Sequence, residues 1–153
     1  MARTTIGSII DVLVTHEESL TPSIKALTSF NVYDEAPENV ISPAWLNFPE
    51  RGTFPHAIGP GGSDFAEDNH TIVCACVKDR ALLPEDEKMM RPLITEFPDV
   101  LSGDLTLGNT VAHINDVTYE YGLIEAYSSP GQPMFGVLFR VTVTVKDAVS
   151  FAL

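Results

Sequence analysis

The clearest pattern in the sequence lies in its last third, where apolar and more polar residues alternate. Large apolar side chains occupy every second position there, at Val137, Phe139, Val141, Val143 and Val145. This two-residue period predicts a β-strand with one face in the core. Residues 110–121 and 123–127 are also strand-like, and Gly122 between them indicates a bulge or a bend.

Further strands are predicted in the first half of the chain. Residues 31–33 form a brief extended piece. Residues 44–48 form a strand bracketed by Pro43 and Pro49, because proline cannot donate a hydrogen bond to a neighbouring strand and suits strand ends. Residues 70–77 are apolar at nearly every position, which predicts a strand buried on both faces or nearly so.

Three helices are predicted from apolar spacing and from capping residues. The first has Thr4 or Thr5 as its N-cap and carries an apolar stripe made by Ile6, Ile9, Ile10 and Leu13. A short second helix begins at residues 21–22, where threonine precedes proline. A third runs from residue 84 to residue 97 with a kink at Pro92, because proline removes a helix hydrogen bond.

The order of these elements predicts one α+β domain over residues 1–153, with a mainly antiparallel sheet and flanking α-helices. Residues 50–69 are rich in glycine and proline, so a long loop is expected. Its acidic residues Asp64, Glu67 and Asp68 are expected to be exposed to solvent. Two interpretations stay open for this loop. It is either a flexible connection or a partner-binding loop that becomes ordered on assembly.

Charge is the strongest signal in the composition. Nine Lys and Arg residues face twenty-one Asp and Glu residues, which gives a formal net charge of −12. Because the sequence has no cluster of Lys and Arg, tight nucleic-acid binding is disfavoured. DNA can still pass along an acidic protein surface without binding to it, because like charges repel. The chain shows no signal-peptide pattern and no apolar run long enough for a bilayer, so we expect a soluble protein that is intracellular when made.

Residue types that carry chemistry are present but do not form a recognisable motif. Cys74 and Cys76 lie two apart in one predicted strand, which favours buried thiols over a disulfide or a metal site. The four histidines are scattered, and acidic pairs such as Glu17 and Glu18 are typical of solvated faces. We therefore expect no catalytic residue, no cofactor and no metal site.

Four stretches of the sequence resemble a family of small phage proteins, the tail terminators and related tail completion proteins of long-tailed bacteriophages. They are Pro43–Pro49, Gly103–Val111, Tyr119–Gly122 and Phe135–Val143, and the resemblance runs from about Ile6 to Val145. It implies a homohexameric ring in the neck region of the virion, made in the host cytoplasm, without membrane contact. Such a ring ends the tail tube, stops its polymerisation and joins head-completion or neck proteins, while DNA passes through its channel.

Two alternatives stay open beside the tail terminator. One is a neighbouring neck component, such as a head-completion or stopper protein, in which a long loop plugs the channel. The other is a small enzyme or binding module, for which a pocket holding His113 and an acidic partner would be the sign. The residues predicted to contact partners lie mainly in the 50–69 loop and in the 128–133 hairpin, and they are Trp45, Phe54, His56, Phe65, Pro130 and Gln132.

Overall fold

The computed structural model describes residues 5–20, 31–34, 44–54, 67–79, 90–124 and 134–146. These residues form two helices and five strands. In chain order they are α1 (Ile6–Ser19), β1 (Asn31–Tyr33), β2 (Ala44–Thr53), β3 (Glu67–Asp79), α2 (Leu93–Ser102), β4 (His113–Ile124) and β5 (Met134–Lys146). The predicted α+β class is confirmed.

The five strands form one mixed sheet in the order β1-β2-β3-β5-β4. β1 runs parallel to β2, and the other three pairings are antiparallel. β3, which is apolar from residue 72 to residue 77, is central, with Cys74 paired to Asn47 on one side and to Phe139 on the other. β4 occupies one outer position of the described sheet, and the three-residue β1 occupies the other.

Three aromatic rings join the helices to one face of the sheet. Trp45 on β2 lies 5.1 Å from Phe97 on α2, and Phe97 lies 4.7 Å from Phe139 on β5, measured between ring centroids. All three side chains are fully buried. The prediction that Trp45 contacts a partner is therefore wrong, because its ring fills the core between the sheet and α2.

Both described helices begin at residues that suit a helix start. The Thr5 side chain accepts a hydrogen bond from the Ser8 amide at 3.2 Å, so Thr5 is the N-cap of α1. α2 begins after Pro92, which occupies the N-cap position, where its missing amide proton costs no helix hydrogen bond. Met90 is also helical and residues 91–92 form a turn, so the helix is interrupted at Pro92 instead of continuing through it with a kink. The part of that predicted helix before Met90, and the helix predicted from residue 21, lie outside the described residues.

β2 continues past the proline that was expected to end it. Pro49 lies within the strand, where its missing amide proton is tolerated because β1 pairs only with Ala44–Leu46. A bulge at Glu50 then shifts the register between Pro49 and Arg51. Residues 50–53 and 67–69 of the predicted loop therefore belong to strands. Asp68, which was expected to be exposed to solvent, is buried.

β4 is one continuous strand and not two. Gly122 has a φ of +130°, which favours glycine, yet it pairs with Gly136 in the register of its neighbours. The bulge in this strand lies instead near its start, at Asn115, between Ile114 and Asp116. The apolar face predicted for β5 is confirmed, with Val137, Phe139, Val141, Val143 and Val145 all buried. The prediction of a single core face is wrong, because Leu138 and Thr144 on the other face are buried as well.

Candidate functional site

The most exposed regular element among the described residues is the outer strand β4. It pairs with β5 along one side, and no other described strand pairs with its second side. Most of its residues are exposed, whereas β3 and β5 are buried at nearly every position. β4 therefore presents a row of backbone amide and carbonyl groups that can pair with another polypeptide.

A line of apolar side chains runs beside this open edge. We call it the β4 stripe, and its members alternate along one face of the strand, at Val117, Tyr119, Tyr121 and Leu123. Tyr119 and Leu123 are each 54% exposed. Tyr121 is half-buried and meets Phe135 edge to face, with 5.2 Å between the ring centroids. An exposed apolar line next to unpaired backbone is a surface suited to contact with protein.

On the opposite face of β4, the positive charge of Arg140 is paired with two carboxylates. Arg140 on β5 donates from Nε to both carboxylate oxygens of Glu50, at 3.1 Å each, and its Nη1 lies 3.3 Å from Glu120 on β4. The bulge at Glu50 brings that carboxylate within reach of Arg140, across β3. Two carboxylates on one guanidinium leave this group of three side chains with a net negative charge.

The turn before β4 is joined to helix α1 by a hydrogen bond between the side chains of Asp104 and His16. Asp104 Oδ2 lies 2.8 Å from His16 Nε2, and Asp104 Oδ1 accepts a hydrogen bond from the Gly108 amide at 3.0 Å. The Gly108 amide and then His16 hold the pKa of Asp104 below its ordinary value. In the same turn, Leu105 is 56% exposed and its carbonyl accepts from the Ile114 amide. The start of β4 is thus held in a defined position.

The backbone of this turn is left-handed over three consecutive residues. Leu107, Gly108 and Asn109 have φ values of 45°, 63° and 65°. Leu107 accepts this unfavourable conformation while its side chain is fully buried in the core. Gly108 lies close to Val12 on α1, where an added Cβ would be in van der Waals contact. Packing against α1 therefore stabilises a backbone that the local sequence disfavours.

The buried face of α1 carries a carboxyl group, that of Glu17. Glu17 is 1% exposed and accepts a hydrogen bond from Asn47 Nδ2, with 2.7 Å between Nδ2 and Oε1. Burial raises the pKa of Glu17 to about 8, against smaller lowering effects from Asn47 and Cys74. The expectation that Glu17 belongs to a solvated face is therefore wrong, whereas its neighbour Glu18 is exposed.

The two cysteines lie next to this carboxyl group as free, buried thiols. Burial raises the pKa of Cys74 and of Cys76 well above the ordinary value, and the nearby Glu17 carboxylate raises both further. Thiols with raised pKa values are poor nucleophiles and poor metal ligands. The prediction that these cysteines behave as small apolar residues in the core is confirmed for their burial.

The structure leaves one of the predicted partner-contact residues on the described surface. Phe54 directly follows β2 and is 52% exposed, with its ring 5.1 Å from the His70 ring. Trp45 lies in the core, as described above. The remaining four lie outside the described residues, namely His56, Phe65, Pro130 and Gln132.

No group of three or more His, Cys, Asp or Glu side chains in the described part of the chain could hold a metal ion. Neither described helix is long and apolar enough to cross a membrane. His113 lies exposed at the start of β4.

Comparison of the sequence with protein-family models and with curated proteins found no match. The functional interpretation therefore depends on the residues and the geometry.

Sequence reasoning did not single out the β4 stripe, although its signal was present. The alternation of Val117, Tyr119, Tyr121 and Leu123 is visible in the sequence, but Gly122 divided it into two predicted strands. The strand order that leaves β4 on the outside is a tertiary feature that no local pattern encodes. Exposed Leu105 was likewise missed, because one leucine in a polar turn carries no distinguishing spacing.

Proposed function

We propose that this chain is a structural subunit of a bacteriophage tail, which assembles into a six-membered ring that ends the tail tube and joins it to the neck. The observation that carries the proposal is the open edge of β4 with exposed Tyr119 and Leu123 beside it. Such an edge serves contact with another polypeptide.

The stretches that resemble tail terminators support this proposal by their positions. Gly103–Val111 follows α2 and forms the turn anchored on α1, and Tyr119–Gly122 lies in the exposed part of β4. Phe135–Val143 forms most of β5, the strand that pairs with β4. Three of the four stretches thus adjoin the proposed contact surface.

A closed ring needs two different surfaces on each subunit, because identical surfaces pair around a two-fold axis and stop at a dimer. The chain has exposed apolar side chains at two separate positions across the width of its sheet. The β4 stripe lies along one outer strand, and Phe54 follows β2, which is three strand spacings away, about 14 Å. This separation suits a head-to-tail contact between neighbouring subunits.

The net charge of −12 is compatible with a ring through which DNA moves. Like charges repel, so an acidic channel wall does not retain the phosphate backbone. The one described arginine beside β4, Arg140, is held by two carboxylates and is not available as a phosphate ligand. The proposed ring therefore passes DNA without binding it specifically.

The proposal is tested by following tube growth. The cognate tail tube protein is polymerised alone and with the purified chain, and tube lengths are measured by electron microscopy. We expect shorter tubes with an added density at one end. The Tyr119→Ser, Leu123→Ser variant should lose this effect, whereas Thr118→Ser on the opposite face of β4 should keep it.

Unchanged tube lengths with a chain that is folded by circular dichroism would contradict a terminator. If the same chain instead bound portal or head-completion proteins, it would belong to a neighbouring neck ring. Hydrolysis or ligand binding by the isolated monomer would favour the enzyme or binding-module alternative.

A further inference from the structure

We propose that one proton, shared between the side chains of Glu17 and Asn47, holds the last turn of α1 against the sheet. In this arrangement, which we call the Glu17–Asn47 pair, each side chain donates one hydrogen bond to the other. Loss of the proton opens the pair and releases the turn. The inference does not depend on the proposed function, because it concerns a single chain.

The hydrogen bonds of Asn47 fix the orientation of its side-chain amide. Nδ2 donates to Glu17 Oε1, with 2.7 Å between the two atoms, and to the Tyr33 carbonyl at 2.9 Å. These two bonds use both protons of Nδ2. Because the Tyr33 carbonyl can only accept, a flipped amide would place two oxygen atoms against each other. Oδ1 is therefore the remaining acceptor of this amide.

Two oxygen atoms of the pair, Glu17 Oε2 and Asn47 Oδ1, have no hydrogen-bond partner among the described residues. Both side chains are buried, and an unsatisfied buried oxygen is costly, above all when it carries charge. With Glu17 ionised, both atoms are acceptors and cannot bond to each other. A proton on Oε2 lets the carboxylic acid donate to Asn47 Oδ1. One proton thus satisfies both oxygen atoms.

The groups around Glu17 favour its protonated form. Burial has the largest effect and raises the pKa of Glu17 to about 8, and Glu18 adds a smaller raising effect. Asn47 and the Cys74 thiol on β3 lower it by hydrogen bonding, less strongly than burial raises it. The Cys76 thiol also interacts with the carboxyl group, which raises its own pKa in addition to burial. None of the described groups that act on the pKa of Glu17 is a cation.

The pair lies at one end of α1, so it can open without unpacking the whole helix. Apolar residues at Ile9, Ile10 and Leu13 are buried in the earlier turns, and they do not titrate. Glu17 is the buried side chain of the last turn, residues 16–19. Helix ends open locally at a lower free energy than packed core elements. Release of the proton is therefore expected to open this turn first.

The direction of the response follows from proton linkage. The closed turn holds Glu17 at a pKa of about 8, whereas an open turn exposes the carboxyl group to water, where the ordinary value is 4.5. Opening therefore releases a proton at any pH between these values. Across this window the equilibrium constant for opening rises up to about tenfold per pH unit, and it levels off above about pH 8.

His16 is a second titratable group in the same turn, and its effect has to be separated from that of Glu17. Its Nε2 atom lies 2.8 Å from Asp104 Oδ2 in the turn before β4. A comparison of wild type with Glu17→Gln at the same pH keeps His16 and Asp104 in both proteins. Any titration of that contact therefore cancels in the ratio of the two proteins.

Amide hydrogen exchange, followed by NMR at matched pH values across this window, tests the inference. The side chain in Glu17→Gln cannot ionise, yet its amide can form the same closed pair with Asn47. We expect the ratio of the wild-type exchange rate to the variant rate at residues 16–20 to rise up to about tenfold per pH unit. Glu18→Gln is the matched control, since Glu18 is exposed, and its rates should follow those of wild type. A ratio that stays constant with pH would overturn the inference.

Two further measurements on the same samples test the shared proton and the local opening. The NMR signals of the Glu17 carboxyl carbon and of the Asn47 side-chain amide should shift together in one transition near pH 8. A Glu17 transition near its ordinary 4.5, or Asn47 signals that do not follow it, would overturn the shared proton. Exchange at residues 16–20 should also be faster than in the core of β3. Equal rates would mean that this turn opens only when the whole protein unfolds, which would overturn the local release.

Discussion

The side-chain amide of Asn47 donates a hydrogen bond to the carboxyl group of Glu17, with 2.7 Å between Asn47 Nδ2 and Glu17 Oε1, and both side chains are buried. Asn47 also donates to the Tyr33 carbonyl at 2.9 Å. One amide thus ties α1 to β2 and β1. Because the pKa of Glu17 is raised to about 8, the carboxyl group is mainly protonated at neutral pH.

The first prediction concerns stability against pH. Glu17 has a folded pKa of about 8 and an ordinary value of 4.5, so the folded state binds one more proton than the unfolded state between these values. The contribution of Glu17 to the free energy of unfolding is fully present below pH 4.5 and is lost as the pH rises to about 8. In this window the free energy of unfolding falls by up to about 1.4 kcal/mol per pH unit. Urea unfolding at several pH values across this window measures it.

The control for this prediction is the pair Glu17→Gln and Glu18→Gln. The Glu17→Gln variant keeps an oxygen for Asn47 but cannot ionise, so its free energy of unfolding should fall less steeply with pH. Glu18 is exposed, and its replacement should leave the slope almost unchanged. Equal slopes for wild type and Glu17→Gln would show that Glu17 does not titrate in this window.

The second prediction concerns Asn47 itself. Asn47→Ala removes the donor to Glu17 and to the Tyr33 carbonyl, and should lower the free energy of unfolding by roughly 1–3 kcal/mol through unsatisfied buried groups. Combined with Glu17→Ala, the loss should be less than the sum of the two single losses, since each substitution removes the same contact. Additive losses in the double-mutant cycle would mean that the two side chains do not interact.

A third prediction compares two glycines. A Cβ on Gly136 would collide with the Cys76 carbonyl on the neighbouring strand, so Gly136→Ala should cost about 1–3 kcal/mol of stability. Gly7 lies on the exposed side of α1, and a Cβ there meets only Thr5 Oγ1 at 3.9 Å. Gly7→Ala should therefore stabilise the protein by about 0.5–1 kcal/mol. Thermal unfolding should separate the two variants in opposite directions from wild type.

A fourth prediction concerns the turn before β4. Asp104→Asn replaces the carboxylate that hydrogen-bonds with His16 and weakens the acceptor for the Gly108 amide, which should cost about 0.5–1.5 kcal/mol near neutral pH. Because the folded pKa of Asp104 is lowered, its stabilisation is present above the ordinary pKa of 3.8 and is lost as pH falls further. Asp99→Asn, exposed on α2, is the control and should change little. An unchanged acid transition in Asp104→Asn would refute the proposed anchor.

Much of the fold could be predicted because its strands carry strong local patterns. The apolar run of β3 predicted its burial, the alternation of β5 predicted one of its two buried faces, and Thr5 was a recognisable cap for α1. Strand ends were less predictable. Pro49 was interpreted as a terminus, yet it is tolerated inside β2 because the described strand β1 pairs only with Ala44–Leu46.

The candidate site was less predictable, for tertiary reasons. Trp45 was assigned to the surface as an apolar residue beyond the needs of the core, but α2 covers it. The sequence predicted that Glu17 is exposed to solvent, whereas the packing of α1 on β2 buries it. The exposure of Tyr119 depends on the sheet order, in which β4 is outermost. None of these relations is contained in a local window of sequence.

The most direct test of the central claim is electron microscopy of the 16.7 kDa chain mixed with preformed tubes of its cognate tail tube protein, with averaging of the tube ends. We predict a ring of six copies on one end of each tube, with the β4 stripe at the contact between subunits. Bare tube ends beside a chain that is folded, monomeric and at saturating concentration would contradict the assignment.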